Sequence, residues 1–279
     1  MKALWIALSL AWPVLAETVP DGRHIVPGAD VAAAPFATWI EDGTVRTASG
    51  ADIAAQAPAQ AVRYAVKAVK WPTGTVRVLT FSGSAGGVLH LITDETELYV
   101  LSGSAVVDVG GAATPIAAGD AVSRPNGALR NGSQANDAVI LAWSVGSTVA
   151  NPKPMIVRAG DVTAETTAEW LDGDKVMRTA TTADTNAKAP AHAVKLISRR
   201  YNFDGNSIRV ARFVKGGTRQ PAKMTADSLI YVTGGPVRFH QADETAIVNA
   251  GDFIREEAGL SHVWEQLSDG GFITTTGVR

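Results

Sequence analysis

The stretch HLITDETELYVLSG, His90 to Gly103, puts an imidazole at His90 and a carboxylate at Glu97. Nitrogen and oxygen donors of this kind suit a first-row metal ion. The same pair also suits proton transfer, because a carboxylate beside an imidazole fixes its tautomer and supports the charged ring. If the stretch is a strand, Tyr99 shares the face of Glu97, two residues along, and its phenol could donate to a developing oxyanion. A second imidazole, His262, lies in GLSHVWEQ with Trp264 and Glu265 close by. A lone histidine of that kind is more often a satisfied core residue than a catalyst. The remaining histidines carry less. His24 falls in a leading segment and reads as exposed, while His192 and His240 read as surface positions.

Composition removes several classes of chemistry. The chain has 279 residues, 46% hydrophobic and 19% charged, enough for a sizeable core in one large domain or two smaller ones. A net charge of -2 offers no basic field to nucleic acid or anionic lipid. The absence of cysteine rules out disulfides, thiolate metal sites and cysteine nucleophiles. No GxSxG is present, and FSGSAGG is not followed by the Lys-Ser or Lys-Thr of a phosphate loop.

Residues 1–16 read as a signal peptide. Lys2 precedes an apolar run from Ala3 to Leu15, and Val14-Leu15-Ala16 has the small and β-branched residues a signal peptidase accepts. The expectation is cleavage after Ala16, a periplasmic or secreted mature protein, and no membrane contact afterwards. The run is too short to span a bilayer.

The elements that hold these residues recur, because the chain repeats itself. APAQAV at Ala57 returns as APAHAV at Ala189, and GTVRVLTF at Gly74 as NSIRVARF at Asn206, both 132 residues later. Tyr99-Val100 with Tyr231-Val232, Gly103 with Gly235, and Gly119-Asp120 with Gly251-Asp252 keep the same offset. The chain is a tandem duplication. The expected division is residues 1–16, a leading segment 17–27, a first unit 28–150 and a second unit 151–279, jointed at NPKP. Within each unit TVRVLTF, ELYVLSG, SAVVDVG and their partners read as short strands between Gly, Asn and Asp turns. Helical periodicity is confined to pieces such as ADIAAQAPAQAV. Each unit is therefore all-β, about eight to ten strands, the size of a small barrel or jelly roll.

The spacing ELYVLSGSAVVDVGG…AAGDAVSRPNGALR resembles the cupin superfamily, and two copies resemble a bicupin. Gly119, Pro125 and Gly127 match that family's second motif, and Gly103 closes its first. In the second copy Gly251 and Gly259 persist, with Glu257 in place of the proline. The resemblance implies two tandem cupin barrels, each with a ligand cavity in its mouth. It also implies four metal-ligand positions per barrel: His90, Ile92, Glu97 and Arg130 in the first, Ala222, Met224, Leu229 and His262 in the second. Ile and Met donate poorly to such an ion, and arginine brings a fixed positive charge, so neither a metal nor another cofactor is expected. If the resemblance sets the register, His90, Glu97 and Arg130 face one cavity. Arg130 would then grip a carboxylate or phosphate. In the second barrel His262, Tyr231, Gln220 and Trp264 are the expected ligand-binding set, with Lys223 directed outward.

The functional expectation is a metal-independent lyase or isomerase acting on a small anionic molecule, with His90, Glu97 and Tyr99 as catalytic candidates. The alternatives are a non-catalytic small-molecule-binding cupin and a metal-dependent oxygenase or decarboxylase with a reduced ligand set. Glu97 with Arg130 can equally be a buried ion pair that holds a barrel together. The expected partner is a small-molecule ligand or substrate, and the expected assembly is a monomeric pseudo-dimer or a homodimer.

Overall fold

The computed structural model describes residues 17–19, 22–42, 44–82, 87–90, 97–109, 112–123, 128–131, 138–145, 153–173, 175–214, 222–223, 225–268 and 270–278. The expected signal peptide, Ile92, Gln220 and Met224 lie outside them, as do the side chains of His90, Arg130, Ala222 and Lys223. The architecture is all-β with two short helices, Asp52–Gln56 and Thr182–Lys188, at equivalent places in the two copies. Among the described residues no helix is long and apolar enough to cross a membrane.

Each copy folds as two facing sheets, one large and one of four strands, antiparallel except where Glu17–Thr18 runs parallel to Val62–Trp71. The strands alternate as their sequences require. In Glu97–Ser102, Leu98 and Val100 turn inward to meet Val107 and Ile116 of the small sheet, forming the first barrel's core. In Asp227–Gly234, Ile230 and Val232 do the same against Phe239 and Trp264 in the second. The outward faces of both large sheets are also apolar, and they pack on one another. Trp71, Trp143, Tyr99 and Val145 of the first barrel join Tyr201, Phe253, Leu229 and Ile273 of the second in a single buried cluster. Burial of such side chains contributes about 1.5–3 kcal/mol each, so the two barrels stabilise one another back to back.

The sheets do not respect the division at residues 28 and 151. Ile25–Val26 pairs with Phe253–Glu256, adding an edge strand to the second barrel. Met155–Val157 pairs with Ala121–Ser123, adding one to the first. The two exchanges are equivalent, since HIVPGADV (His24 to Val31) matches MIVRAGDV (Met155 to Val162). A repeated Gly-Asp turn anchors each. Gly119 and Gly251 take φ of 90° and 100°, which glycine alone adopts cheaply. The following aspartates accept the exchanged chain's N–H groups, Ala159 to Asp120 Oδ1 at 2.9 Å and Gly28 to Asp252 Oδ1 at 2.8 Å. His24, expected at the surface, is therefore only 3% exposed: its carbonyl accepts from Arg255 N, and its N–H donates to Glu244. His192 and His240 are exposed, as expected.

Candidate functional site

The register corrects the reading of the first barrel. Leu98 and Val100 occupy the interior, so Glu97 and Tyr99 do share a face, but it is the outer one, covered by the second barrel. Glu97 is fully buried there and accepts a hydrogen bond from Thr275 Oγ1 of the second barrel. The Tyr99 ring meets Tyr201 edge to face at 5.7 Å. Burial and the neighbouring Tyr201 push the Tyr99 hydroxyl well above the ordinary phenol range. Tyr231 and Leu229 occupy the corresponding outward positions of the second barrel. Tyr231 lies edge to face with Phe253 at 5.4 Å, and burial followed by Asp252 raises its hydroxyl pKa. The physical reason is the two-residue period of a strand: a one-residue slip in an inferred register moves every side chain to the opposite face. Glu97, Tyr99 and Tyr231 thus belong to the inter-barrel contact. Of His90 and Arg130 the structure describes only the backbone, in neighbouring strands, His90 opposite Ala128 and Arg130 opposite Val88.

His262 and Trp264 do lie inside the second barrel, on the strand Ser261–Gln266 of its small sheet. Trp264 packs against Phe239 at 4.7 Å and Phe272 at 5.3 Å, and its Nε1–H donates to Glu256 Oε1 at 2.8 Å. His262 Nε2 stands 3.2 Å from the same oxygen, with its ring stacked over Phe239. His262 is 3% exposed and Glu256 6%. Gln241, opposite His262 in the sheet, closes this end by bonding Arg255 O and Glu257 N, each at 3.2 Å.

Cross-strand pairing shows how the interior is zoned. Ser207, Ser228 and Glu256 stand in one transverse row on the inner face of the large sheet, linked through the backbone of Thr276. Arg209, Thr274, Ile230 and Ile254 form the next. Beyond them come Phe272, Phe213, Val194 and Leu196, all core. One end of the barrel is polar and the other apolar, the usual form of a small-molecule site. Sequence reasoning missed Glu256, Ser228 and Arg209. Arg209 had a signal: GTVRVLTF and NSIRVARF carry the same arginine in both copies, and Arg77 faces inward too, donating to Ser144 Oγ at 2.5 Å.

The donor set does not fit the metal that the cupin resemblance implies. Around His262 only Glu256 is a further metal-type donor among the described residues, and its Oε1 accepts from Trp264. Glu97 faces away from any His90 site inside the first barrel. Among the described residues no cluster of three histidines or carboxylates could hold an ion.

No family model and no curated protein sequence matches the chain. Solved structures do match. AerE from Microcystis aeruginosa is similar with a TM-score of 0.56 at 11% identity, over 78% of this chain and 93% of that one. A putative glyoxylate-induced protein from Pseudomonas aeruginosa gives 0.54 at 13%, over 78% and 80%. Oxalate decarboxylase from Bacillus subtilis gives 0.53 at 12%, over 91% and 76%. At such identities the likeness speaks for the fold, and that fold is the cupin fold in its bicupin form, two barrels in one chain.

Proposed function

We propose that this is an exported bicupin whose second barrel carries out metal-independent proton transfer on a small anionic organic molecule, as a lyase or isomerase. The observation that carries the reading is the His262–Glu256 pair at the polar end of that barrel. An Nε2–H directed at Glu256 leaves Nδ1 as the basic nitrogen. His262 would then take a proton from a C–H made acidic by an adjacent carbonyl or carboxylate and return it to the same molecule. Glu256 is a positioning residue that fixes the tautomer and supports the imidazolium. Export is supported by the apolar run and Val14-Leu15-Ala16; cleavage after Ala16 would leave the strand Glu17–Thr18, paired with Val69 and Lys70 of the first barrel, in the mature chain.

The chemistry is tested by incubating the protein in D2O with a panel of small carboxylates and sugar acids and following deuterium incorporation by NMR. The expected result is exchange at one carbon of one panel member. It falls by roughly 10²–10⁴-fold in His262→Asn and by less in Glu256→Gln. A second reading, non-catalytic binding, is favoured by the low exposure of both residues. It predicts saturable binding with no exchange in the wild type, and that outcome would end the acid–base proposal.

A further inference from the structure

We infer that the polar end of the second barrel extends into an oxyanion-binding groove centred on Arg200 and Arg209, in continuation of the rows that hold Ser228 and Glu256. A groove of about 530 Å³ opens at the end of the large sheet, floored by Ser198, Arg200, Asn202 and Arg209 and rimmed by Asp161 and Glu165. Arg200 and Arg209 lie directly opposite one another on adjacent strands. Two cations so placed, with Cβ atoms about 5 Å apart, repel each other and destabilise a sheet unless something stands between them. The Arg209 side chain is engaged, donating to Ser198 Oγ at 3.4 Å among its contacts, whereas the exposed Arg200 side chain has no hydrogen-bond or ion-pair partner among the described residues.

The first barrel provides an internal control. Its residues at the same places are Val66, Ala68 and Lys70 where the second has Ser198, Arg200 and Asn202. There Ala68 faces Arg77, and Val66 and Ala68 are packed in the core. One copy fills this corner with apolar atoms, and the other opens it and adds a second guanidinium. Two guanidinium forks beside a hydroxyl and an amide match the oxygens of a carboxylate or phosphate, which they can grip bidentately. Glu165 is already engaged, its Oε2 accepting from Thr182 N and Oγ1, both at 2.8 Å. Asp161 and Glu165 on the rim offset part of the arginines' charge, so the grip comes from the hydrogen bonds of the guanidinium forks and not from a net positive field. A smaller cavity of about 190 Å³ shares Thr167 and Arg209 and is lined by Val194 and Leu196 on one side and by the Glu169–Arg178 ion pair on the other. Arg209 stands three strands from Glu256 in the same sheet and Arg200 four; the groove shares the barrel of the His262 reading, but anion binding is read without turnover, so either can fail while the other stands.

The test titrates the whole protein with inorganic phosphate and with malonate, ionic strength held constant with NaCl, by thermal shift and calorimetry. A saturable rise in melting temperature is expected with at least one of the two. Phosphate alone identifies a phosphoryl ligand, and malonate a carboxylate. Arg200→Ala, which installs the residue the first barrel tolerates, is expected to melt cooperatively and slightly higher without anion, and to weaken binding at least tenfold. Arg200→Lys, which keeps the charge without the fork, falls between. No saturable shift with either anion, or unchanged affinity in Arg200→Ala, overturns the site.

Discussion

Leu229→Ala removes most of a fully buried side chain from the contact between the barrels. A leucine-to-alanine change in a well-packed core costs about 3–5 kcal/mol, transfer and cavity terms together. For a chain of this size each kcal/mol lowers the melting temperature by roughly 2–4 °C, so a loss of about 6–20 °C is expected. That loss alone does not say which way Leu229 points, since a leucine inside the second barrel would cost as much. Gly74 of the first barrel does. A Cβ added at Gly74 would sit 2.9 Å from Leu229 Cδ1, 2.6 Å from Ser144 O and 3.2 Å from Val145 Cγ1. Gly74→Ala alone is therefore overpacked by about 1–3 kcal/mol. Truncating Leu229 relieves the contact across the interface and leaves the one with Ser144 O. The double variant should be more stable than the summed singles by about 1 kcal/mol, read from denaturant melts with unchanged m-values. Additivity within roughly 0.5 kcal/mol would mean the two residues do not meet, and the back-to-back packing would be refuted.

The Asp120 anchor sets an acid limit on stability. Burial raises its carboxyl pKa, but hydrogen bonds from Ala159 N–H, Arg158 and Ala117 N–H outweigh burial and hold it below the ordinary carboxylate value. A depressed folded pKa gives stability that is complete above the unfolded value, about 3.9. That stability is lost as pH falls from there through the folded value. Melting temperatures of Asp120→Ala and wild type should differ clearly at pH 7 and draw together as acid takes the pH down through the depressed folded value; a gap independent of pH would disprove the linkage.

How much of this was legible follows from what a repeat can and cannot say. The offset of 132 residues, the Gly-Asp turns and the strand rhythm are local signals, and they convey two barrels from the chain alone. The edge exchange was also written in the chain, as HIVPGADV against MIVRAGDV, yet the shift there is 131 residues, so a search at constant offset passes over it. Which face of Glu97–Ser102 is inner was not legible. Glu97, Leu98, Tyr99 and Val100 are all buried, and a strand buried on both faces shows no polar alternation from which to read direction. His262 could be placed in the second barrel, but Glu256 could not be joined to it, because that pairing depends on two sheets meeting.

The same duplication explains why a carboxylate stands where chemistry was expected. Copies packed back to back bring equivalent positions to equivalent places, so the pair Glu97 and Thr275 corresponds to Leu229 and Trp143 in the other half of the contact. Both changes occur together: the half with the carboxylate has the hydroxyl to meet it, and the half with leucine has an indole, both in the apolar cluster. Glu97 is on this account an interface residue whose polarity Thr275 compensates. Thr275→Val keeps the shape and removes the donor, which for a buried acceptor costs about 1–3 kcal/mol. The loss should appear in the melting temperature with deuterium exchange of the wild-type substrate unaltered. A variant as stable as wild type would return Glu97 to the list of residues whose charge still needs a chemical reason.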